Sequence, residues 1–328
     1  MRPEIVWHSS AVAIWRDVKG AGSAPSTSST VVTIGTFDGV HLGHQTLLAR
    51  AREVADAAGE QVVAVTFDPH PIAVFAPDRA PRLLSDLERR VELLHEGGAD
   101  EVRVLAFDRA MAAWSPDEFA QRVLVDDLRA SHVVVGQNFT YGSKAAGDVA
   151  CLAAFGADHG FVTEALELAG GSEEYSSTLV RRLVESGDVV GAAAVLGRPA
   201  EVNGVVARGE QRGRELGFPT ANVPVPEAQA TPADGVYAAW VLDFDGAASG
   251  GSPERWPAAV SVGDNPTFEG VSRRVESYVI DRTGLDLYGH RIRVELVERL
   301  RGMEAYESLE ALVEQMHADV DRARAILA

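Results

Sequence analysis

The sequence predicts an α/β domain with a parallel sheet, followed by an all-β domain built as a small antiparallel barrel. In the first half, short β-branched runs alternate with helical segments. From about Val189 that alternation stops, and the rest reads as strands separated by turn residues, closing on one amphipathic helix from about Ser308 to Leu327. A chain of 328 residues is long enough to bury two hydrophobic cores, one for each pattern.

The runs Val31 to Gly35, Gln61 to Phe67, Glu101 to Phe107 and Ser131 to Gly136 have the length and β-branched content of buried strands. Two of the intervening helices carry start signals. Ser85 with Glu88, and Ser115 with Pro116 and Glu118, each pair an N-cap with an acidic residue three positions on. Such alternation implies a parallel sheet covered by helices on both faces, and ligands of these sheets bind beyond the carboxyl ends of the strands. The residues that follow each strand are therefore the first candidates for chemistry.

After the first strand comes Thr36-Phe37-Asp38-Gly39-Val40-His41-Leu42-Gly43-His44, then a helical pattern. Two histidines at a helix start sit where unpaired N–H groups and the positive end of the dipole favour phosphate, and Gly43 keeps side-chain bulk away from the backbone. His41 and His44 could donate to charge developing on a phosphate chain. The alternatives are a zinc site from Asp38, His41 and His44, for which the stretch offers few ligands, or two exposed histidines without a role.

The second strand ends in Thr66-Phe67-Asp68-Pro69-His70-Pro71, whose prolines make a rigid turn. The fourth is followed by Gly136-Gln137-Asn138-Phe139-Thr140-Tyr141-Gly142, an amide and two aromatic rings that could meet a flat ligand or form a simple turn. Farther on, Tyr175-Ser176-Ser177-Thr178-Leu179-Val180-Arg181 opens a helix with Thr178 and Arg181 on one face, or is an ordinary cap with a solvated arginine. Neither G-x-G-x-x-G opening a helix nor G-x-x-x-x-G-K-[ST] occurs, so nucleotide would have to use the histidine turn.

In the second half the candidate strands are Glu201 to Arg208, Gly235 to Phe244, Ala258 to Val262, Arg274 to Asp281 and Arg291 to Val297; strands without helical crossovers suggest an antiparallel barrel. Gly246 to Pro253 reads as a loop inside this domain, and the join between domains is expected between Ser186 and Leu196. The segment from Gly209 to Asn222 brings Gly209, Arg214 and a compact Pro-Thr-Ala-Asn. Thr220 and Asn222, two apart in extended chain, point the same way, as two oxygen ligands of a magnesium–phosphate unit would, or as two inward polar residues of a loop. Glu276 shares a strand face with Tyr278 and Ile280, as a paired carboxylate or as a base.

With 48 acidic against 30 basic residues the net charge is −18, which opposes nucleic-acid binding. Lys19 and Lys144 are the only lysines, so an anionic ligand would be held by Arg, His, backbone N–H or Mg²⁺. A single cysteine, Cys151, excludes an intrachain disulfide and suits a reducing compartment; it is expected to be a small buried helix residue. The absence of a signal-like N-terminus or a long apolar run predicts a cytoplasmic protein without a membrane span.

Taken in order, GTFDGVHLGHQ, TFDPHP, NFTYG, SSTLVR, GFPTAN, NPTF and VESYVID resemble the bacterial bifunctional riboflavin kinase/FMN adenylyltransferases, or FAD synthetases, over nearly the whole chain. The resemblance implies a Rossmann-like nucleotidyltransferase domain over residues 1–187 and a flavokinase barrel over 188–328. Riboflavin would be phosphorylated to FMN and FMN adenylylated to FAD, with ATP and Mg²⁺. It implies that His41 and His44 steady the ATP phosphates, with Gly35, Phe37, Asp38, Gly43, Ser177, Thr178 and Arg181 around the same nucleotide and Asn138, Phe139 and His70 near the flavin. In the second domain it implies Gly209 and Arg214 at ATP, Thr220 and Asn222 at both ATP and magnesium, and Glu276 as general base. Tyr175 stands where the family usually has isoleucine, and Leu179 follows Thr178; both flank the motif.

Three other readings compete. An adenylyltransferase whose second domain merely binds flavin would lack convergence of Thr220, Asn222 and Glu276. A non-catalytic flavin carrier would need neither the two histidines nor Thr178 with Arg181. A nucleotidyltransferase for another vitamin phosphate would leave GFPTAN unexplained. The expected partners are the small molecules riboflavin, FMN and ATP, and an oligomer is compatible with the sequence.

Overall fold

A computed structural model describes residues 26–167, 175–208, 217–246, 252–267, 270–282 and 284–328. Contacts divide the chain into two compact units: Met1–Pro81 with Ser85–Ser176, and Arg82–Leu84 with Ser177–Ala328.

The first unit holds β1 (Thr30–Ile34), α1 (Leu42–Ala58), β2 (Gln61–Asp68), α2 (Pro71–Phe75), α3 (Leu87–Glu96), β3 (Glu101–Ala106), α4 (Pro116–Phe119), β4 (Ala130–Gly136), α5 (Val149–His159) and β5 (Val162–Leu166). Its sheet is parallel, in the order β3-β2-β1-β4-β5. Every residue of β1 is buried, because alternate side chains enter the two opposite cores of a sheet covered on both faces. Val31, Val62 and Val104 pack under α1 and α3, while Val32, Val63 and Val133 pack against Phe119, Leu124 and Leu152. The order of strands reverses between β1 and β4, so the segments after these two strands flank the crevice where such sheets take their ligands.

In the second unit α6 (Ser177–Ser186) and α7 (Val189–Leu196) precede β6 (Ala200–Val205), β7 (Ala221–Pro224), β8 (Gly235–Asp243), β9 (Glu254–Thr267), β10 (Gly270–Val279), β11 (Arg291–Arg301) and α8 (Leu309–Ile326). The six-stranded sheet runs β6-β11-β8-β9-β10-β7, each neighbouring pair antiparallel. Its two edge strands come together: Ala207, just past β6, bridges Asn222 of β7, with Ala207 N donating to Asn222 O at 2.8 Å. Gly204 of β6 is required at this seam, since a Cβ there would collide with the Val223 side chain. The sheet is thus a nearly closed barrel, filled by Val202, Val223, Tyr237, Val260, Val275 and Val294. On its outside, Val320 and Ala323 of α8, with Leu327 at its C-cap, cover Ala238, Ala259 and Ile280.

The expected strands are all present, with two additions. β5, whose side chains are mostly only half-buried, lacks the apolar run of an interior strand because it is a sheet edge. β7 is only four residues long and includes Asn222. The expected join is helical: α7 is capped by Asp188, whose carboxylate accepts from Gly191 N at 2.8 Å. Cys151 is exposed on α5, not buried. Ser115 does cap α4, but α3 is capped by Asp86, which accepts from Arg89 N at 2.8 Å, and not by Ser85. Both residue types cap well; Ser85 has a long-range partner instead. Gly209 and Arg214 lie outside the described residues, as does most of the expected 246–253 loop.

Candidate active sites

The turn after β1 has an unusual backbone. Phe37 and Val40 have φ of 49° and 38° and Gly39 a φ of 77°, so two residues with side chains occupy the left-handed region that disfavours them. Tertiary contacts hold it there. The Phe37 ring is wholly buried and lies against Gly35, where an added Cβ would sit 3.2 Å from it. Asp38, also wholly buried, accepts from Ser85 N at 3.1 Å, while Ser85 Oγ accepts from Gly39 N at 3.1 Å. This reciprocal pair is what removes Ser85 from the cap of α3. The Phe37 and Asp38 side chains therefore shape the turn from inside it.

The turn delivers His41 to the N-cap position of α1, where its side chain makes no capping bond, and His44 to the first turn. Spaced three apart, the imidazoles stack with centroids 3.7 Å apart, and Phe37 meets His44 edge-on at 5.0 Å. A Cβ on Gly43 would lie 3.2 Å from both the His41 ring and Tyr175 Cβ, so glycine is needed for the histidine packing as much as for open backbone. His44 Nδ1 is buried without a hydrogen-bond partner among the described residues. Burial first, then the neighbouring His41 and Arg90, holds His44 well below the usual histidine range and thus neutral at pH 7.

Arg90 of α3 is a residue the sequence reading missed, because an arginine in a helix reads as solvated. It is 1% exposed, and its guanidinium donates to Phe67 O at 3.1 Å and lies 3.5 Å from Thr66 Oγ1. Asp38, Asp68 and Asp86 surround it electrostatically. The only available signal was its place on the apolar face of α3 beside Val91 and Leu94.

The other predicted residues of this unit are placed as follows. His70 caps α2, its Nδ1 accepting from Ile72 N at 3.2 Å. Asn138 is exposed just past β4; Phe139 is half-buried and stacks on Tyr141 with centroids 5.5 Å apart. At the ends of β2 and β3, Phe67 and Phe75 each meet Phe107 edge-on at 5.7 Å, and Phe75 is 62% exposed. The sequence presents Phe67 and Phe107 only as strand-end residues and does not single out Phe75, because each ring lies in a different local pattern. Ser177, Thr178 and Arg181 open α6 in the second unit, Thr178 exposed and Arg181 Nε donating to Arg82 O at 2.7 Å.

In the barrel the predicted residues converge through strand register. Asn222 lies directly opposite Glu276 across the β7–β10 pair, which places both side chains on one face, and Ser261 of β9 flanks Glu276 on the other side. Asn222 Nδ2 donates to Thr220 O and lies in hydrogen-bonding range of Thr220 Oγ1, each at 3.2 Å. Val275 and Ser277, which alternate with Glu276, point into the barrel, so the carboxylate is on its half-buried outer face. Tyr278 and Ile280 share that outer face, where both pack in the cluster covered by α8 and Ile280 is only 2% exposed. Among the described residues no group of three or more His, Cys, Asp or Glu could hold a metal, which leaves the zinc reading of Asp38, His41 and His44 without support. Nor is any helix there long and apolar enough to cross a membrane.

Comparison with known proteins divides the chain as the fold does. Residues 23–179 match the FAD synthetase family and residues 196–327 the riboflavin kinase family. Proteins called bifunctional riboflavin kinase/FMN adenylyltransferase match nearly end to end. The one from Escherichia coli K12 is 35% identical over 94% of this chain and 96% of its own, and that from Pseudomonas fluorescens 39% identical over 93% and 95%. A solved structure described as a macrolide-efflux protein from Streptococcus pneumoniae superposes with a TM-score of 0.82 at 30% identity, covering 96% of this chain and 99% of that one. With two matching domains in this order and full-length relatives above 30% identity, the chain belongs to the bifunctional riboflavin kinase/FMN adenylyltransferase family.

Proposed function

We propose that this protein makes FAD from riboflavin in two ATP-dependent steps: phosphorylation of riboflavin to FMN, then adenylylation of FMN with release of pyrophosphate. The observation that carries the reading is the presence in one chain of two separately built sites, the stacked histidines at the start of α1 and the register-matched Asn222 and Glu276 beside Thr220. Membership of the family and both domain matches support it.

For adenylyl transfer, the N–H groups at the start of α1 and the imidazoles of His41 and His44 donate to the phosphates of ATP, lowering the energy of charge that builds on the leaving pyrophosphate. Gly43 keeps that approach open, while Gly35, Phe37 and Asp38 act through the shape of the turn. Ser177, Thr178 and Arg181 are assigned to the same nucleotide, and Asn138, Phe139 and His70 to FMN. The phosphate of FMN attacks the α-phosphorus directly, without a covalent enzyme intermediate. The proposed functional division at 1–187 and 188–328 follows the change of sequence pattern and lies later than the change in packing after Ser176.

For the kinase step, Glu276 accepts the proton of the terminal ribityl hydroxyl as it attacks the γ-phosphate. Thr220 and Asn222 offer neutral oxygens beside it, and Gly209 and Arg214 are assigned to the nucleotide. A few protein oxygens supplemented by phosphate and water suit Mg²⁺, which would supply charge neutralisation on the phosphates when bound there. The proposed location is the cytoplasm, in keeping with one cysteine and no disulfide; nucleic acid is not a proposed partner at a net charge of −18.

The test is to incubate purified protein with riboflavin, ATP and Mg²⁺, separate the flavins by chromatography, and follow ADP and pyrophosphate. FMN appearing before FAD with both by-products is the expected result. Conversion of added FMN but not of riboflavin would sink the kinase half and favour the single-activity reading; no reaction of either flavin would sink both.

A further inference from the structure

We propose that Arg90 is a positioning residue of the adenylyl-transfer site, a buried cation that holds the turn after β1 and the end of β2 in one fixed geometry. The inference rests on the adenylyltransferase reading above and concerns a residue outside the histidine turn. An arginine 1% exposed is a costly choice for the apolar face of α3, where a methionine would bury as well without losing a hydration shell. What the charge does there is visible in its contacts. One guanidinium nitrogen donates to Phe67 O, two residues before Pro69 begins the turn toward His70. The same nitrogen lies 3.5 Å from Thr66 Oγ1, whose hydroxyl donates to Thr36 O at 3.0 Å, at the entrance of the histidine turn.

The start of α3 grips that turn a second time through Ser85, which exchanges hydrogen bonds with Asp38 and Gly39. Helix α3 thus ties together the ends of two neighbouring parallel strands, β1 and β2, from which the phosphate and flavin segments depart. Fixed geometry matters because a misplacement of about 1 Å can cost roughly a hundredfold in rate. Arg90 also contributes to the charge balance around the site. Asp38 from the turn, Asp68 from β2 and Asp86 from the cap of α3 act on it electrostatically, and its positive charge adds to burial and to His41 in keeping His44 neutral. Its Nε is buried without a hydrogen-bond partner among the described residues, so the guanidinium is held for its placement and charge and is not saturated by local bonds.

Two full-length variants test the role. Arg90→Met removes the charge and the fork, and Arg90→Lys keeps the charge but not the planar donors. In each, FMN adenylylation and riboflavin phosphorylation are measured on the same preparation, and the His44 ring is titrated by NMR. For Arg90→Met the expected result is a loss of about a hundredfold in adenylylation, a kinase rate within twofold of the parent, and a His44 midpoint moved upward. For Arg90→Lys the His44 midpoint should stay and part of the adenylylation rate should return. An unmoved His44 midpoint in Arg90→Met, or equal loss of both activities, overturns the proposal by making Arg90 a residue of general stability. If Arg90→Met does not fold, Arg90→Lys decides alone: adenylylation within twofold of the parent overturns the positioning role, and a selective fall with His44 unmoved supports it. A parent that makes no FAD from FMN would instead refute the functional reading, while the His44 titration still reports on Arg90.

Discussion

The histidine turn and the barrel strands, both proposed to hold polar groups against phosphate, are built in opposite ways. In the first unit the groups sit on a strained turn whose shape comes from buried partners distant in sequence: Asp38 with Ser85, Gly39 with Ser85, and Arg90 behind the end of β2. In the second they sit on regular strands, and Asn222 meets Glu276 because antiparallel register places them opposite each other. A turn can present helix N–H groups and two stacked rings at one point, but it depends on the interior for its geometry. A strand pair supplies its geometry through the backbone ladder, with Asn222 buried and Glu276 half-buried on one face. The first site should therefore couple activity to burial and charge, and the second should lose chemistry without losing structure.

The largest effect is expected from Glu276→Ala. With the ladder between β7 and β10 intact, the kinase rate should fall by about 10²–10⁴ while adenylylation of supplied FMN is spared. Flavin chromatography with the two substrates supplied separately reads both rates, and a near-normal kinase rate would remove Glu276 from the role of base.

His44→Ala is expected to act more weakly on rate, by roughly 10²–10³ in FMN adenylylation, and to leave the kinase untouched. Because His44 also fills space against His41 and Phe37, this variant should in addition lower the melting temperature of the first unit, which calorimetry would show. An adenylylation loss with no thermal change would weaken the claimed link between site and interior.

The smallest effect is on stability against pH. His44 in the folded protein lies well below its unfolded value of about 6.5. Below that pH the unfolded chain binds a proton that the folded chain refuses, so the contribution of His44 is full above about pH 6.5 and declines as pH falls toward the folded value. The slope is at most about 1.4 kcal/mol per pH unit. Urea unfolding of the parent and of His44→Gln between about pH 7.5 and 5 should show the shallower acid decline in the variant; identical declines would mean that His44 is not held neutral.

Much of this was readable from residue order. Alternating β-branched runs and helices determined the parallel sheet, because a strand buried on both faces has little choice but to be apolar throughout. The spacing of His41 and His44 determined that the two rings share a helix face, and the two-residue spacing of Thr220 and Asn222 that their side chains run together. Edge strand β5 and the short β7 escaped because neither carries the apolar pattern of an interior strand. Only the tertiary structure decided that Ser85 serves a turn 46 residues away and not its own helix, that Asn222 faces Glu276, and that Arg90 lies in the interior beneath two segments it is not adjacent to in sequence. Local pattern reports which face of an element is apolar; it does not report which polar group on that face will find a partner, since that partner arrives with another part of the chain.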